Sequence, residues 1–174
     1  MADEIFDIVD EQDRGIGQAP RPAVHAGGLR HRAVHVLIFN SHSELLVQKR
    51  AATKDTFPGC FDSSASGHLG TGEDYDAAAC RELREELGLS LPAGAIRKCF
   101  KLTACADTGQ EFVWVYTGQS DAPVTPDPAE VELVVAMSRE QIEALLAEQP
   151  ATCARSFRRV VREVFKRRLF PPTR

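Results

Sequence analysis

The segment from Gly67 to Leu89 constrains this chain more than any other part of it. Its glutamates Glu82, Glu85 and Glu86 are three and four residues apart, so on a helix their carboxylates crowd onto one face. Like charges at these spacings each destabilise a helix by roughly 0.2–0.5 kcal/mol. A helix that needed only a polar surface would interleave lysines with the glutamates. The spacing therefore indicates that a divalent cation binds here and cancels the repulsion.

Length and composition narrow the class of protein. A chain of 174 residues with 43% apolar and 26% charged residues is typical of one globular domain with its own hydrophobic core. The net charge of −4 argues against a nucleic-acid-binding surface. The acidic start lacks the apolar region of a secretory signal, and no apolar run approaches the roughly 18 residues of a membrane span. We therefore expect a cytoplasmic protein with neither a nucleic acid nor a membrane as its partner.

The cysteines indicate reduced thiols. Their number is odd and no two of them have the C-x-x-C spacing, so neither a disulfide framework nor a cysteine-based zinc site is expected. They are Cys60, Cys80, Cys99, Cys105 and Cys153.

The N-terminal residues predict a small β-hairpin. Glu4–Val9 and Gly15–Ala19 flank the polar turn Asp10–Arg14. Pro20–Leu29 is expected to be a loop, because it contains two prolines and a pair of adjacent glycines. We assign residues 1–30 to this hairpin and loop, packed on the domain that residues 31–170 form. The free edge of the hairpin could pair with a second copy in a homodimer.

Alternating apolar residues predict most of the remaining strands. These are His31–Phe39, Leu45–Lys49, Lys98–Ala104, Glu111–Thr117 and Val131–Met137. Helices are expected between and after them, because the chain also carries apolar residues at helical period. Strands mixed with helices in this order predict an α/β fold with helices on both sides of a mixed sheet.

Three helices are expected, and each has a terminal signal. The helix of the glutamate segment has Thr71 or Asp74 as its N-cap and ends at Gly88. The sequence from Ser138 to Gln141 has the form of a capping box that opens a helix to about Ala147. The last helix spans roughly Thr152–Leu169, with an apolar stripe and a basic face that we interpret as solvated.

The residues of this segment follow a spacing pattern that indicates a protein family. They follow the pattern Gly67-x5-Glu73-x7-Arg81-Glu82-Leu83-x-Glu85-Glu86-x-Gly88-Leu89. This pattern resembles the Nudix box and departs from it at no specified position. With average residue usage, a chance match in a chain of this length is on the order of one in ten million. The resemblance implies a Nudix-type α/β/α sandwich and an enzyme that uses water to cleave a diphosphate linkage in a nucleoside diphosphate derivative.

The same resemblance implies roles for individual residues. Glu73 and Arg81 would pair within the box and orient the catalytic helix. The general base is expected to be Glu85 or, as second choice, Glu130, with Glu111 and Glu132 as further candidates. Mg²⁺ is the expected cofactor and Mn²⁺ is possible, since both prefer oxygen ligands. The expected metal ligands are Glu82, Glu85, Glu86 and the main-chain carbonyl of Gly67.

Residues outside the box resemble the isopentenyl-diphosphate-isomerase-like branch of the Nudix superfamily. The likeness runs through His31–Val36, Leu45–Arg50 and Pro58-Gly59. An isomerase is therefore an alternative function, but that enzyme has a cysteine where this chain has Ser66. A serine hydroxyl is too weak an acid to replace the thiol as a proton donor. The complete glutamate cluster and Ser66 together favour a hydrolase.

The second resemblance also extends to basic and metal-binding positions. Arg50 and Lys54 fall where the isomerase contacts its diphosphate, and both suit charge-assisted bonds to phosphate. His31, His68 and Glu111 match positions of its metal site, which makes them alternative metal ligands here. His25 lies one residue from a third such histidine, and Gly109 replaces a glutamate. A more remote alternative is a non-catalytic nucleotide-binding module that reuses the fold.

Overall fold

A computed structural model describes residues 4–92 and 94–172 of the chain. The strands are β1 (Ile5–Val9), β2 (Gly15–Pro20), β3 (His31–Phe39), β4 (Leu45–Arg50), β5 (Phe61–Asp62), β6 (Ala65–His68), β7 (Ile96–Leu102), β8 (Glu111–Gln119) and β9 (Val131–Met137). The helices are α1 (Arg21–Gly27), α2 (Tyr75–Leu87), α3 (Arg139–Glu148) and α4 (Arg155–Lys166). Short 3-10 turns occur at Ala106–Thr108 and Pro150–Thr152.

The central sheet is mixed, as the sequence predicted. Strands β5, β4, β3, β8 and β7 follow one another in that order, while β6 pairs with β3 and β9 pairs with β4. β3 and β8 run parallel over their whole lengths, and the other pairs are antiparallel. β3 and β4 pair only between Phe39 and Leu45. Beyond that pair the two strands take different partners, so the sheet opens into a cleft.

Two apolar cores lie on opposite faces of this sheet, which confirms the α/β/α sandwich. One face of β3, with Leu37, joins α3 and α4 through residues such as Ile142 and Phe157. The other face, with Val36, packs on α2 through residues such as Leu83. β3 is apolar on both faces because it is covered by helices on both sides.

The N-terminal hairpin forms as predicted and packs on the same body. β1 and β2 are antiparallel, and the backbone N–H of Val9 donates to Arg30 at 2.9 Å. Phe6 and Val9 are buried, so the hairpin contributes to the core rather than standing apart. β2 is exposed along most of its length.

The expectation of a loop from Pro20 to Leu29 was wrong. Residues Arg21–Gly27 form helix α1, which ends at Gly28 in the left-handed conformation (φ 57°). Pro22 is compatible with a helix because it lies in the first turn, where the backbone N–H has no partner within the helix. Val24 is fully buried, so tertiary packing rather than propensity stabilises this short helix.

Smaller differences concern the ends of elements. The last helix begins at Arg155 rather than Thr152, because a 3-10 turn precedes it. The strand predicted at Lys98–Ala104 begins two residues earlier and ends at Leu102. None of the helices within the described residues has an apolar stretch long enough to cross a membrane.

Candidate active site

Helix α2 carries the glutamate cluster along the edge of the cleft. Asp74 caps its start and accepts the backbone N–H groups of Asp76 and Ala77, each at 2.9 Å. Gly88 ends it at φ 63°, a conformation that favours glycine. Leu83 and Leu87 are buried against the sheet. This packing fixes the rotation of the helix and turns Glu82 and Glu86 toward the cleft.

Glu86 joins the two diverging parts of the sheet. Its Oε2 accepts a hydrogen bond from Gln48 Nε2 of β4 at 2.8 Å and another from the backbone N–H of Ser66 in β6 at 2.9 Å. Glu86 is 4% exposed and Gln48 is fully buried. Two donors therefore hold one carboxylate oxygen in place and leave the other free for a ligand. The sequence did not single out Gln48, since a glutamine within a strand carries no motif.

Arg81 organises the side of the helix that faces the box loop. Its guanidinium donates to both carboxylate oxygens of Glu73 at 2.8 Å, to Glu82 at 2.7 Å and to Glu85 at 3.0 Å. A further bond at 2.9 Å reaches the carbonyl of His68. The pairing of Glu73 with Arg81 that the sequence implied is present. One arginine thus ties the loop, the strand end and two of the clustered glutamates together.

Gly67 is positioned against the carboxylate of Glu82. A Cβ added at Gly67 would lie 2.1 Å from Glu82 Oε1, so any side chain there would displace the glutamate. The requirement for glycine comes from this close approach, because the backbone of Gly67 is not in the left-handed region. Glycine is therefore necessary at this position for the carboxylate to occupy its site.

The three clustered glutamates differ in their surroundings. Glu82 and Glu86 are buried, whereas the side chain of Glu85 is 49% exposed and lies 3.6 Å from Arg84. Burial raises the pKa of Glu82 to about 7. Burial and, next, the charge of Glu82 raise the pKa of Glu86 to about 8. Two carboxylates with raised pKa values on one cavity wall are typical of a site that binds a cation or a proton.

A second cluster lies beside the first and contains three histidines. One ring nitrogen each from His25, His31 and His68 lie within 4.8 Å of one another. His68 Nε2 lies 2.9 Å from Glu111 Oε1, while His31 Nε2 is 3.6 Å from the same oxygen and is buried without a hydrogen-bond partner among the described residues. The ring of Phe6 stacks on His31 at 5.6 Å. Helix α1 brings His25 into this group, although His25 lies one residue away from the position of the corresponding histidine in the isomerase.

Glu111 is charged at the centre of the histidine cluster. Burial alone would raise its pKa, but the neighbouring imidazoles of His31 and His68 outweigh burial and hold the pKa well below the ordinary range. A partly buried carboxylate among imidazoles can act as a ligand for a cation or as a fixed negative charge.

One cavity of about 970 Å³ connects both clusters. Arg50 and Lys54 line it, as predicted, and both already have acidic partners. Arg50 contacts Asp62 at 3.4 Å and the carbonyl of Thr56 at 3.1 Å, and Lys54 forms an ion pair with Glu130. The predicted substrate-binding lysine and the second candidate base therefore contact each other at the cavity wall.

The candidate general bases differ in whether they line the cavity. The cavity wall includes Glu85, Glu111 and Glu130. Glu132 instead pairs with Lys49 at 2.8 Å and does not line the cavity. The catalytic, substrate-binding and metal-binding roles given to individual residues stay predictions. Apart from Glu132 and the buried His31, the residues concerned all line this one cavity.

Comparison with known proteins identifies the family. The sequence model of the NUDIX domain family matches residues 29–159. The chain belongs to the NUDIX domain family. A Nudix hydrolase of Streptomyces coelicolor is 41% identical over 150 residues, which cover 84% of this chain and 81% of that protein. An isopentenyl-diphosphate Delta-isomerase of Nocardia farcinica is 36% identical over 149 residues, covering 83% of this chain and 85% of that protein.

A solved structure has the same Nudix fold over nearly the whole chain. The crystal structure of DR0079 from Deinococcus radiodurans superposes with a TM-score of 0.82 at 29% identity, covering 92% of this chain and 98% of that one. The family membership, the isomerase-like branch, the fold class and the expectation of a Nudix-type hydrolase are thus confirmed.

Proposed function

We propose that this enzyme uses a divalent metal ion to hydrolyse the diphosphate linkage of a nucleoside diphosphate derivative, by attack of water at phosphorus. The observation that carries the proposal is that buried Glu82 and Glu86 share a cavity with Arg50 and Lys54. The acidic pair suits a metal ion and the basic pair suits a phosphate. A diphosphate and its metal ion match both halves of such a cavity.

The residues present fit a hard divalent cation. Glu82 and Glu86 offer carboxylate oxygens, the ligand type that Mg²⁺ and Mn²⁺ prefer. Burial raises the pKa of both carboxyl groups, and repulsion from neighbouring carboxylates adds to it, so a cation between them would favour the charged forms. The glycine at position 67 leaves space for the carboxylate of Glu82, with which a Cβ would collide. We propose Glu82, Glu85, Glu86 and the carbonyl of Gly67 as the ligands.

Each part of the site then has a chemical task. A bound Mg²⁺ or Mn²⁺ would supply positive charge that polarises the phosphoryl group and favours the attacking water. Gln48 and the N–H of Ser66 orient Glu86, and Arg81 orients Glu82. Lys54 binds the substrate diphosphate after it exchanges its contact with Glu130. Glu85 accepts the proton of the attacking water, because it is the accessible carboxylate of the cluster.

A substrate panel tests the proposal. The protein is incubated with Mg²⁺ and nucleoside diphosphates that carry a sugar, a second nucleoside or no further group, and the products are separated by chromatography. We expect release of a nucleoside monophosphate from at least one class, and no release when a chelator replaces Mg²⁺. Absence of monophosphate release from every class with Mg²⁺ or Mn²⁺ would contradict the proposal.

The identity of the base gives a kinetic prediction. We expect Glu85→Gln to lower kcat by about 10²-fold or more, the usual contribution of general-base catalysis. Glu130→Gln should change kcat by less than about tenfold and alter mainly KM, because it frees Lys54 from its ion pair. Steady-state kinetics of both variants measure this. The opposite pattern, with kcat lost in Glu130→Gln alone, would give the role of base to Glu130.

The raised pKa values also predict how stability depends on pH. The folded protein keeps protons on Glu82 and Glu86 up to about pH 7 and 8, whereas the unfolded chain loses them near pH 4.5. Between these limits the unfolded state binds fewer protons, so the free energy of unfolding of the metal-free protein falls as pH rises and levels off above pH 8. We expect the melting temperature to drop by about 5 °C or more across this window.

Calorimetry at several pH values, with and without Mg²⁺, checks that prediction. Saturating Mg²⁺ should reduce the drop, since the ion binds the deprotonated carboxylates of the folded state. The Glu86→Gln variant should show a smaller pH dependence than the wild type. A metal-free wild type that gains stability from pH 5 to 8, or a variant with an unchanged slope, would show that the two carboxylates do not hold their protons in the folded state.

An isomerase remains the second candidate, and the histidine cluster is the observation that favours it. His25, His31, His68 and Glu111 lie together, and one relative is an isopentenyl-diphosphate Delta-isomerase. Ser66 lines the cavity in the place of the thiol. We therefore expect no exchange of solvent deuterium into isopentenyl diphosphate, measured by NMR. Exchange at the rate of an isomerase would favour this second function over hydrolysis.

A further inference from the structure

His35 is a buried histidine in the cavity wall that neither the metal site nor the histidine cluster uses. It lies on β3 and is 3% exposed, and it lines the cavity. Its partner across the sheet is Ser66 of β6, whose backbone N–H donates to Glu86. On its other side lies Asp62, which pairs with Arg50. His35 thus stands between the acidic and the basic parts of the cavity.

A buried serine fixes one of the ring nitrogens. His35 Nδ1 and Ser63 Oγ are 2.7 Å apart, and Ser63 is fully buried. Within the described part of the chain the Ser63 hydroxyl has no other hydrogen-bond partner. If Nδ1 donated to the serine, the hydroxyl hydrogen would be buried without an acceptor, at a cost of about 1–3 kcal/mol. The hydroxyl therefore donates and Nδ1 accepts.

The neighbouring carboxylate does not change this assignment. Asp62 Oδ1 is 3.7 Å from His35 Nδ1, beyond hydrogen-bond length. The same oxygen accepts the backbone N–H of Ser63 at 2.8 Å. Burial, the largest influence, and the charge of Arg50 lower the pKa of His35, so the ring is neutral. A neutral ring with an accepting Nδ1 carries its proton on Nε2.

Nε2 has access to the cavity. It makes no hydrogen bond with the described residues, and it is absent from the side-chain atoms that are sealed from solvent without a partner, which are His31 Nε2, Gln48 Oε1 and Arg158 Nε. An N–H on a rigid central strand is therefore available at the wall between Glu86 and Arg50. Phosphate oxygens are hydrogen-bond acceptors, so a donor in this place suits them.

We propose that His35 is a substrate-binding residue that donates its Nε2–H to a diphosphate oxygen, and that Ser63 is a positioning residue that keeps the proton on Nε2. The inference rests on the proposed function, because it assumes that a diphosphate occupies the cavity. It adds a neutral donor to the charged contacts of Arg50 and Lys54. Such a donor binds the diphosphate without adding a further buried charge.

Matched variants test the contact by calorimetric binding of methylenediphosphonate, a diphosphate analogue that is not hydrolysed, in the presence of Mg²⁺. His35→Asn can still accept from Ser63 but has no donor at the ε position, so we expect about tenfold to a hundredfold weaker binding. His35→Gln places an amide N–H near that position, so its Kd for methylenediphosphonate should be within about threefold of the wild-type value. Wild-type affinity in His35→Asn would overturn the inference.

The tautomer gives a readout that a purely structural role would not change. In ¹⁵N NMR spectra we expect His35 to be the neutral Nε2–H form, and its Nε2 signal to shift when methylenediphosphonate binds. Ser63→Ala should shift the equilibrium toward the Nδ1–H form and weaken binding although the ring is intact. An Nδ1–H form in the wild type, or an unchanged Nε2 signal with the analogue bound, would overturn the inference.

The NMR measurements on the wild type need neither a variant nor turnover, so they remain decisive if a variant fails to fold. They also separate the inference from the proposed function. Hydrolysis of a panel substrate with an unperturbed His35 would contradict the inference alone. Binding of the analogue through His35, without hydrolysis of any panel substrate, would support the contact and contradict the proposed reaction.

Discussion

Replacing Glu86 with glutamine is expected to lower kcat on the order of 10³-fold and to raise the melting temperature of the metal-free protein at pH 8. The activity falls because the site loses one of its two buried carboxylates and with it the charge that holds the metal ion. The stability rises because the glutamine oxygen still accepts from Gln48 and from the N–H of Ser66, while the repulsion with Glu82 disappears.

Steady-state kinetics with saturating Mg²⁺ and calorimetry without metal measure the two effects. Glu148→Gln is the control, since it removes the same charge from an exposed position at the end of α3 and should leave both quantities near their wild-type values. Loss of activity together with loss of stability in Glu86→Gln would mean that Glu86 has a structural role. Retained activity would remove Glu86 from the metal site.

The second large effect is expected at Arg81. Arg81→Met keeps most of the side-chain volume but removes every bond to Glu73, Glu82, Glu85 and the carbonyl of His68. Glu82 then remains buried without a counter-charge, so we expect the free energy of unfolding to fall by about 3 kcal/mol at pH 8. Activity should fall as well, because Glu82 loses the partner that orients it.

Chemical denaturation measures the loss, and neighbouring substitutions provide its controls. Arg84→Met removes a cation one helical turn away, whose contact with Glu85 is longer, at 3.6 Å. This substitution should lower the free energy of unfolding by less than about 1 kcal/mol. Combining Arg81→Met with Glu82→Gln should recover part of the lost stability, because the uncompensated charge is removed. A double variant that is as unstable as the sum of both single variants would show that the two side chains are not coupled.

The sequence could predict the chemistry that local spacing specifies. The i, i+3, i+4 glutamates, the N-cap and the terminal glycine all lie within one helix, so periodicity alone brought Glu82, Glu85 and Glu86 together. The pairing of Arg81 with Glu73 followed from the family pattern. What spacing could not show is burial, which separates the exposed Glu85 from its two buried neighbours.

Contacts between segments that are far apart in the sequence could not be predicted from spacing. Gln48 became part of the site only because β4 and β6 diverge and Glu86 bridges them. His25 reaches the histidine cluster through α1, where tertiary packing of Val24 overrides the turn-forming prolines and glycines. His35 is separated from Ser63 by 28 residues. No periodic signal marks residues of this kind, since their proximity results from sheet register.

Hydrolysis in ¹⁸O-labelled water tests the central claim most directly. A nucleoside diphosphate derivative that the panel identifies as a substrate is turned over with Mg²⁺, and mass spectrometry locates the label in the products. We predict that one ¹⁸O enters a phosphate group of one product, that neither product nor label forms with a chelator, and that labelled product forms on the order of 10³-fold more slowly in Glu86→Gln. Label that enters only a carbon-bound oxygen, or turnover that persists in Glu86→Gln without a metal ion, would contradict metal-dependent attack of water at phosphorus.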